Sequence, residues 1–226
     1  YILTGYFNLA KILEVTLANG LDPRTGKRVG PETGDPGRFK RNDRDDVDGI
    51  AKSIVHELVD LIERYPPSPV RGASRRVYFL PTTAHVYFGK VTGATPDGRV
   101  SGFPVSEGVS PVQGMDRKGM AAVFRSVSKI DWIRTGGSLL NQKLTPDLFD
   151  DQGNIIKLAS LIRGYFRAGG YHVQFNVISA DLLREAQRRP QDFQDLMVRV
   201  AGYSDYFVKL PKGLQEEIIA RTEQNV

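Results

Sequence analysis

Residues 199–207 read RVAGYSDYF: a glycine, two tyrosines and a serine crowded into a loop between two apolar stretches that read as helical. Helical periodicity stops before it and resumes after it. By propensity Gly202 is a turn residue, because glycine alone enters positive φ at little cost. A loop this specific raises a second reading, in which the missing Cβ serves chemistry.

Working backwards from the loop, Pro190 suits the first turn of a helix running through Phe193, Leu196 and Met197. Before that, Ser179 is placed to cap the helix ADLLREAQ, with Asp181 in its first turn. The stretch YHVQFNVIS, residues 171–179, is the clearest strand. Val173, Phe175 and Val177 point one way, and His172, Gln174 and Asn176 the other. A helix over about 154–168 ends at Gly169-Gly170, a C-terminal signal. GSLLNQKL, residues 137–144, is a short extended piece. Met120, Val123, Phe124 and Val127 share one face of a helix over 117–130.

Residues 76–90 read as extended, with Val77 and Phe79 alternating with polar neighbours, as do Ala84, Val86 and Phe88. A helix over 45–63 carries Val47, Ile50, Ile54, Leu58 and Ile62 on one face, with Asn42 or Asp43 as its cap. A further helix covers 6–18, followed by a Gly/Pro-rich loop over 21–39. After the opening loop, FVKL is short and extended, and Leu214, Ile218 and Ile219 mark a final helix. Helices and strands alternate, so the fold class is α/β.

Composition narrows the function. The chain has 226 residues, 40% apolar and 25% charged, the balance of an ordinary globular protein. No apolar run is long enough to span a bilayer, and with no charged-then-apolar stretch at its start a secreted protein is not expected. The net charge of +5 arises from bases dispersed among acids, as in RFKRNDRDDVDG, so a mixed solvated surface is expected rather than a nucleic-acid face. The absence of cysteine removes disulfides, thiolate metal sites and thiol nucleophiles from this chain. His56, His85 and His172 stand far apart, and no pair has metal-ligand spacing. Asp97-Gly98-Arg99 is a turn by composition, with a pocket role for Arg99 as the alternative.

RVAGYS, followed by an aromatic pair and then LQEEIIARTEQ at 214–224, resembles the C-terminal signature of the glycyl radical enzymes. The resemblance extends over nearly the whole chain. It includes residues 6–36 and 84–99, EGVSPVQGMDRKGMAAVFRSVSKIDW at 107–132, TGGSLLNQKLTP at 135–146 and GGYHVQFNV at 169–177. The branch resembled is that of the dehydratases, decarboxylases and lyases.

The resemblance implies the C-terminal part of a ten-stranded α/β barrel of two five-stranded halves, ringed by helices. Residues 1–170 would be barrel and 171–226 the glycyl radical domain. An internal segment would be absent near 39–42. It makes Gly202 the residue that stores the radical. Tyr203 and Ser204 would shape and bury the loop. The catalytic cysteine and its companion glutamate would lie outside this chain.

An activating enzyme, using S-adenosylmethionine and an iron–sulfur cluster, would be the partner, and no bound cofactor or metal is expected. A homodimer, an anaerobic cytoplasm and, in some members, a protein-shelled compartment also follow from the resemblance. The dispersed charge and the short apolar runs add the expectation of no nucleic-acid and no membrane partner. Arg75 and Phe79, four residues apart, resemble substrate-binding positions of the isethionate sulfite-lyase branch, where C–S cleavage gives sulfite and acetaldehyde. The alternatives are a dehydratase or decarboxylase acting on a diol, hydroxyproline, choline or an arylacetate, and a non-catalytic radical carrier.

Overall fold

The computed structural model describes residues 43–224 except 68, 71, 73, 74, 80–82 and 96–98. The expected helix over 6–18, the loop over 21–39, the break near 39–42 and a cap at Asn42 lie outside the described residues. The chain divides into two compact units, one containing residues 84–105 and the other residues 42–83 and 106–226.

In the first unit, helix α2 covers Ala84–Val91 and replaces the extended piece expected there. Its buried residues are His85, Val86 and Gly89, a one-and-four spacing that only a helix brings to one side. The period-two reading of Ala84, Val86 and Phe88 failed because Phe88 is exposed. Arg99 is buried and donates to the carbonyls of Phe103 (2.8 Å), Thr92 (3.2 Å) and Gly93. That makes it the tie of its own loop.

The second unit opens with helix α1, Asp45–Glu63, which matches the expected bounds. Asp43 does not cap it; the cap position is Arg44, whose N–H is accepted by Asp48 in the first turn (3.2 Å). Residues 77–79 are extended beside 136–138, with Phe79 N–H donating to Gly137 O (3.0 Å) and Gly136 N–H to Val77 O (2.7 Å). Helix α3 is Met120–Val127 and α4 is Gln152–Arg167. Helix α4 ends in a Schellman motif: Gly170 N–H bonds Tyr165 O (2.9 Å) and Gly169 N–H bonds Phe166 O (3.2 Å). Gly169 has φ +100°, which is why glycine stands there.

Strands β1 (Asn141–Leu144), β2 (Gln174–Val177) and β5 (Glu223–Gln224) form a parallel sheet in the order β2-β1-β5. Parallel strands alternating with helices make this an α/β fold. The described residues carry this three-stranded sheet and not a ten-stranded barrel.

The sheet's two faces differ. Leu140 and Leu144 enter a core with Met120, Val123, Phe124, Val127, Trp132, Leu148, Leu158 and Tyr165, against which Val173 and Phe175 pack. Phe124 stacks on Tyr165 at 4.5 Å between centroids. The register sets Asn141 beside Gln174 and Lys143 beside Asn176, so four polar residues share the other face.

That polar face looks onto the C-terminal segment. Helix α5, Ala180–Arg188, starts at Ser179, whose side chain accepts from Leu182 N–H as expected. The helix expected from Pro190 is only a 3-10 turn, Pro190–Phe193, and Met197 already lies in a strand. Strands β3 (Met197–Arg199) and β4 (Ser204–Tyr206) form an antiparallel hairpin. Phe207–Lys209 is a 3-10 turn rather than extended, and α6 covers Lys212–Ala220. Val198, Val200, Phe207, Leu214 and Ile218 are buried beneath the hairpin and α6.

Candidate functional site

The hairpin puts Gly202 at its tip. Arg199 pairs with Ser204, and four residues, 200–203, join them, closed by Val200 N–H donating to Tyr203 O (2.8 Å). Gly202 has φ +80°, in the left-handed region that L side chains avoid. A Cβ built there would stand 3.3 Å from Leu139 Cδ1. Val200 and Ala201 are buried, whereas Gly202, Tyr203 and Ser204 are exposed. Tyr203 and Ser204 therefore do not bury the loop. The hairpin turns its valine side inward, and the positive φ carries the tip outward.

Beneath the tip lies a set of polar side chains that the loop alone did not reveal. Asn176 acts as a short strand segment: its Oδ1 accepts from Arg199 N–H and its Nδ2 donates to Arg199 O, both at 2.7 Å. Arg221 donates from Nη2 to Val200 O (2.9 Å) and from Nη1 to Arg199 O (3.3 Å). Asn141 Nδ2 also donates to Val200 O (3.3 Å). The Arg199 guanidinium bonds Gln174 Oε1 and Ser204 Oγ, each at 3.1 Å. Two successive carbonyls ahead of Gly202 thus each accept two side-chain donors.

This cradle is itself held from behind. Arg221 and Glu217 form a buried ion pair through Nη2 (2.8 Å) and Nε (3.1 Å), and Gln113 donates to Glu217 (3.0 Å). Glu107 accepts from Asn141 and from Ser110 Oγ (2.9 Å) on Oε2. Burial pushes the Glu107 carboxyl up, against the opposing pull of Arg221 and of the Asn141 and Ser110 bonds. Its Oε1 and Gln142 Oε1 meet no donor among the described residues, and both residues line a cavity of about 20 Å³. Lys143, fully buried, donates to Ile219 O (2.9 Å), tying β1 to α6.

The remaining candidates lie elsewhere. Arg75 is exposed, donates to Pro66 O (2.6 Å) and stands 5.8 Å from the Tyr65 ring. Phe79 is half-buried and meets Trp132 edge-on at 5.8 Å. Among the described residues, no contact joins either of them to Gly202. His56 Nε2 accepts from Asp131 N–H and His172 Nδ1 from Leu140 N–H. Burial, then the charge of Arg199, keeps the His172 imidazole below its ordinary range. No group of potential metal ligands occurs among the described residues, and none of their helices is long and apolar enough to cross a membrane.

Gly202 thus stands at a hairpin tip with positive φ, next to two carbonyls pinned by side chains. The family model for the glycine radical matches residues 105–208, and the pyruvate formate lyase-like model matches residues 1–41. The chain belongs to the glycyl radical enzymes.

Among its relatives is the trans-4-hydroxy-L-proline dehydratase of Clostridioides difficile, 48% identical over 183 residues, which are 81% of this chain and 23% of that protein. The isethionate sulfite-lyase of Desulfovibrio desulfuricans is 40% identical over 188 residues, 82% of this chain and 22% of that protein. The crystal structure of the C. difficile hydroxyproline dehydratase with bound substrate superposes with a TM-score of 0.78 at 42% identity. It covers 96% of this chain and 25% of that one. The chain thus spans about a quarter of the length of the relatives it matches.

Proposed function

We propose that Gly202 is the radical-storing residue of a glycyl radical lyase of the dehydratase type, and that the chain is its radical-bearing C-terminal part. The observation that carries the reading is Gly202 at φ +80° on a tip clamped by buried side chains, inside the segment that matches the glycine radical model. Loss of one α-hydrogen atom leaves a planar carbon flanked by an electron-donating amide nitrogen and an electron-withdrawing carbonyl. Glycine suits this because no Cβ opposes flattening.

An activating enzyme of the S-adenosylmethionine and iron–sulfur type removes that hydrogen atom. The radical then takes a hydrogen atom from a cysteine thiol on the rest of the polypeptide. The thiyl takes one from a substrate carbon, the bond between the neighbouring carbon and its leaving group (the hydroxyl in a dehydration, the sulfonate in a C–S cleavage) breaks, and the hydrogen atom returns. A glutamate on the rest of the polypeptide handles the proton, as acid to a hydroxyl that leaves or as base on a hydroxyl that stays. Because the tip is exposed here, enclosure of the radical falls to that same remainder, where a dry site protects it. In this reading β1 belongs to the barrel part, residues 1–170, and the radical domain, 171–226, sets β2 and β5 beside it.

Dehydration is the first substrate reading, supported by 48% identity to a hydroxyproline dehydratase against 40% to an isethionate sulfite-lyase. The second is C–S cleavage of isethionate to sulfite and acetaldehyde, with Arg75 gripping the sulfonate and Phe79 lining the pocket. It is favoured by a guanidinium, which suits an oxyanion. Against it stands the engagement of Arg75 with Pro66 O. The test incubates the anaerobically activated full-length enzyme with trans-4-hydroxy-L-proline and, separately, with isethionate. Loss of water from the first supports dehydration, sulfite from the second supports the alternative, and turnover of neither removes both.

A further inference from the structure

We infer that Arg221, at the C-terminal end of α6, is the positioning residue of the radical loop, fixing Gly202 through the carbonyls of Arg199 and Val200. The inference rests on the reading of Gly202 as the radical residue and extends it to a group nineteen positions further along the chain.

The geometry singles Arg221 out among the cradle residues. Asn176 holds Arg199 alone and Asn141 holds Val200 alone. Arg221 reaches both carbonyls, at 3.3 and 2.9 Å, and at the same time grips Glu217 through Nε and Nη2. Three nitrogens in one plane are needed for this. A guanidinium supplies them in a fixed fork, whereas a lysine ammonium is a single point donor.

The guanidinium cannot drift, because Arg221 and Glu217 side chains are 9% and 1% exposed. Residue 200 is then pinned at both of its backbone polar groups: its carbonyl by Arg221 and Asn141, its N–H by Tyr203 O. Between those pins and Gly202 stands only the buried Ala201. Movement of the guanidinium therefore moves the α-carbon that must exchange a hydrogen atom. Misplacement by about 1 Å costs on the order of 100-fold in such a transfer.

The loop is held by these bonds and by the burial of Val200 and Ala201. Gly202 and Tyr203 are exposed, and the apolar anchors Val198 and Phe207 sit a few residues to either side. The position of α6, transmitted through Arg221, is thereby read out at Gly202.

The test uses the full-length enzyme, activated anaerobically, as wild type, Arg221→Lys and Arg221→Met, with electron paramagnetic resonance, kcat and KM measured on each. A wild type without a glycyl doublet overturns the assignment of Gly202 and this inference with it. If the wild type gives the doublet, Arg221→Lys should retain the doublet, keep KM, and lose kcat roughly 10- to 100-fold. Arg221→Met should lose at least as much. A full-rate Arg221→Lys enzyme overturns the positioning role and leaves Gly202 as the radical residue.

Should both Arg221 variants fail to fold, Asn176→Asp reads the same coupling from the other side. It keeps the acceptor for Arg199 N–H and sets a carboxylate oxygen against Arg199 O. A selective kcat loss there supports positioning through these carbonyls, and an unchanged kcat overturns it.

Discussion

At Gly202 the cost of any side chain has two sources. A φ of +80° costs an L residue about 1–2 kcal/mol, and the new Cβ meets Leu139 Cδ1 at 3.3 Å. Gly202→Ala should lower the melting temperature modestly, by scanning calorimetry, while abolishing the radical. Glu107 makes a second residue-scale test. Its folded carboxyl is raised above the unfolded value, so the native state binds the proton more tightly. Stability is therefore full below the unfolded carboxylate pKa and declines as pH rises through the raised value. Glu107→Gln, an isostere of the protonated form, should flatten that decline, and thermal melts from pH 4 to 8 should reveal it. An unchanged pH profile would mean that Glu107 does not carry it. Gly202 was legible in the sequence because its neighbours form a motif. Glu107 and Arg221 were not, because one charged residue looks like another until the fold has buried it.

At the scale of the elements, the strand YHVQFNV shows why the cradle stayed hidden. Alternation separated Gln174 and Asn176 from Val173, Phe175 and Val177, and the structure keeps that division. Alternation assigns faces but not depth. Here the polar face is the more deeply buried one, since Gln174 and Asn176 are each 6% exposed, while Val173 and Phe175 are half-buried against the core and Val177 is 48% exposed. A hairpin with unpaired backbone groups needs donors and acceptors above it, and side-chain amides supply both.

Asn176→Leu should leave Arg199 N–H without its acceptor and the Arg199 carbonyl without one of its two side-chain donors. The expected destabilisation is about 1–3 kcal/mol, with faster amide exchange in residues 197–206 than elsewhere. Uniform exchange changes would contradict the local role. The helices were read more easily: α1, α3, α4 and α6 follow apolar spacing, and the cap at Ser179 formed as expected. Helix α2 was misread because three apolar residues at every second position fit a strand equally well.

Across the second unit, two kinds of attachment coexist. Helix α1 buries only Val59, while Ile50, Ile54, Leu58 and Leu61 are 41–51% exposed. Its ties to the rest of the unit include ion pairs of Lys129 with Asp45 and Asp48 (both 2.7 Å), and of Arg134 with Asp60 (2.5 Å) and Glu63 (2.7 Å). Such surface pairs contribute little and are screened by salt. The C-terminal segment is instead anchored by Val198, Val200, Phe207 and Ile218, whose burial does not respond to salt in that way. Raising salt from 0.1 to about 1 M should therefore speed amide exchange in α1 while leaving the hairpin and α6 protected. The reverse order would contradict this division.

The central claim is that Gly202 stores the radical. The most direct measurement is electron paramagnetic resonance of the anaerobically activated full-length enzyme, grown on ordinary and on α-deuterated glycine. One remaining α-hydrogen should split the signal into a doublet that collapses on deuteration and is missing from Gly202→Ala. A doublet that survives in Gly202→Ala, or that ignores deuteration, would place the unpaired electron elsewhere.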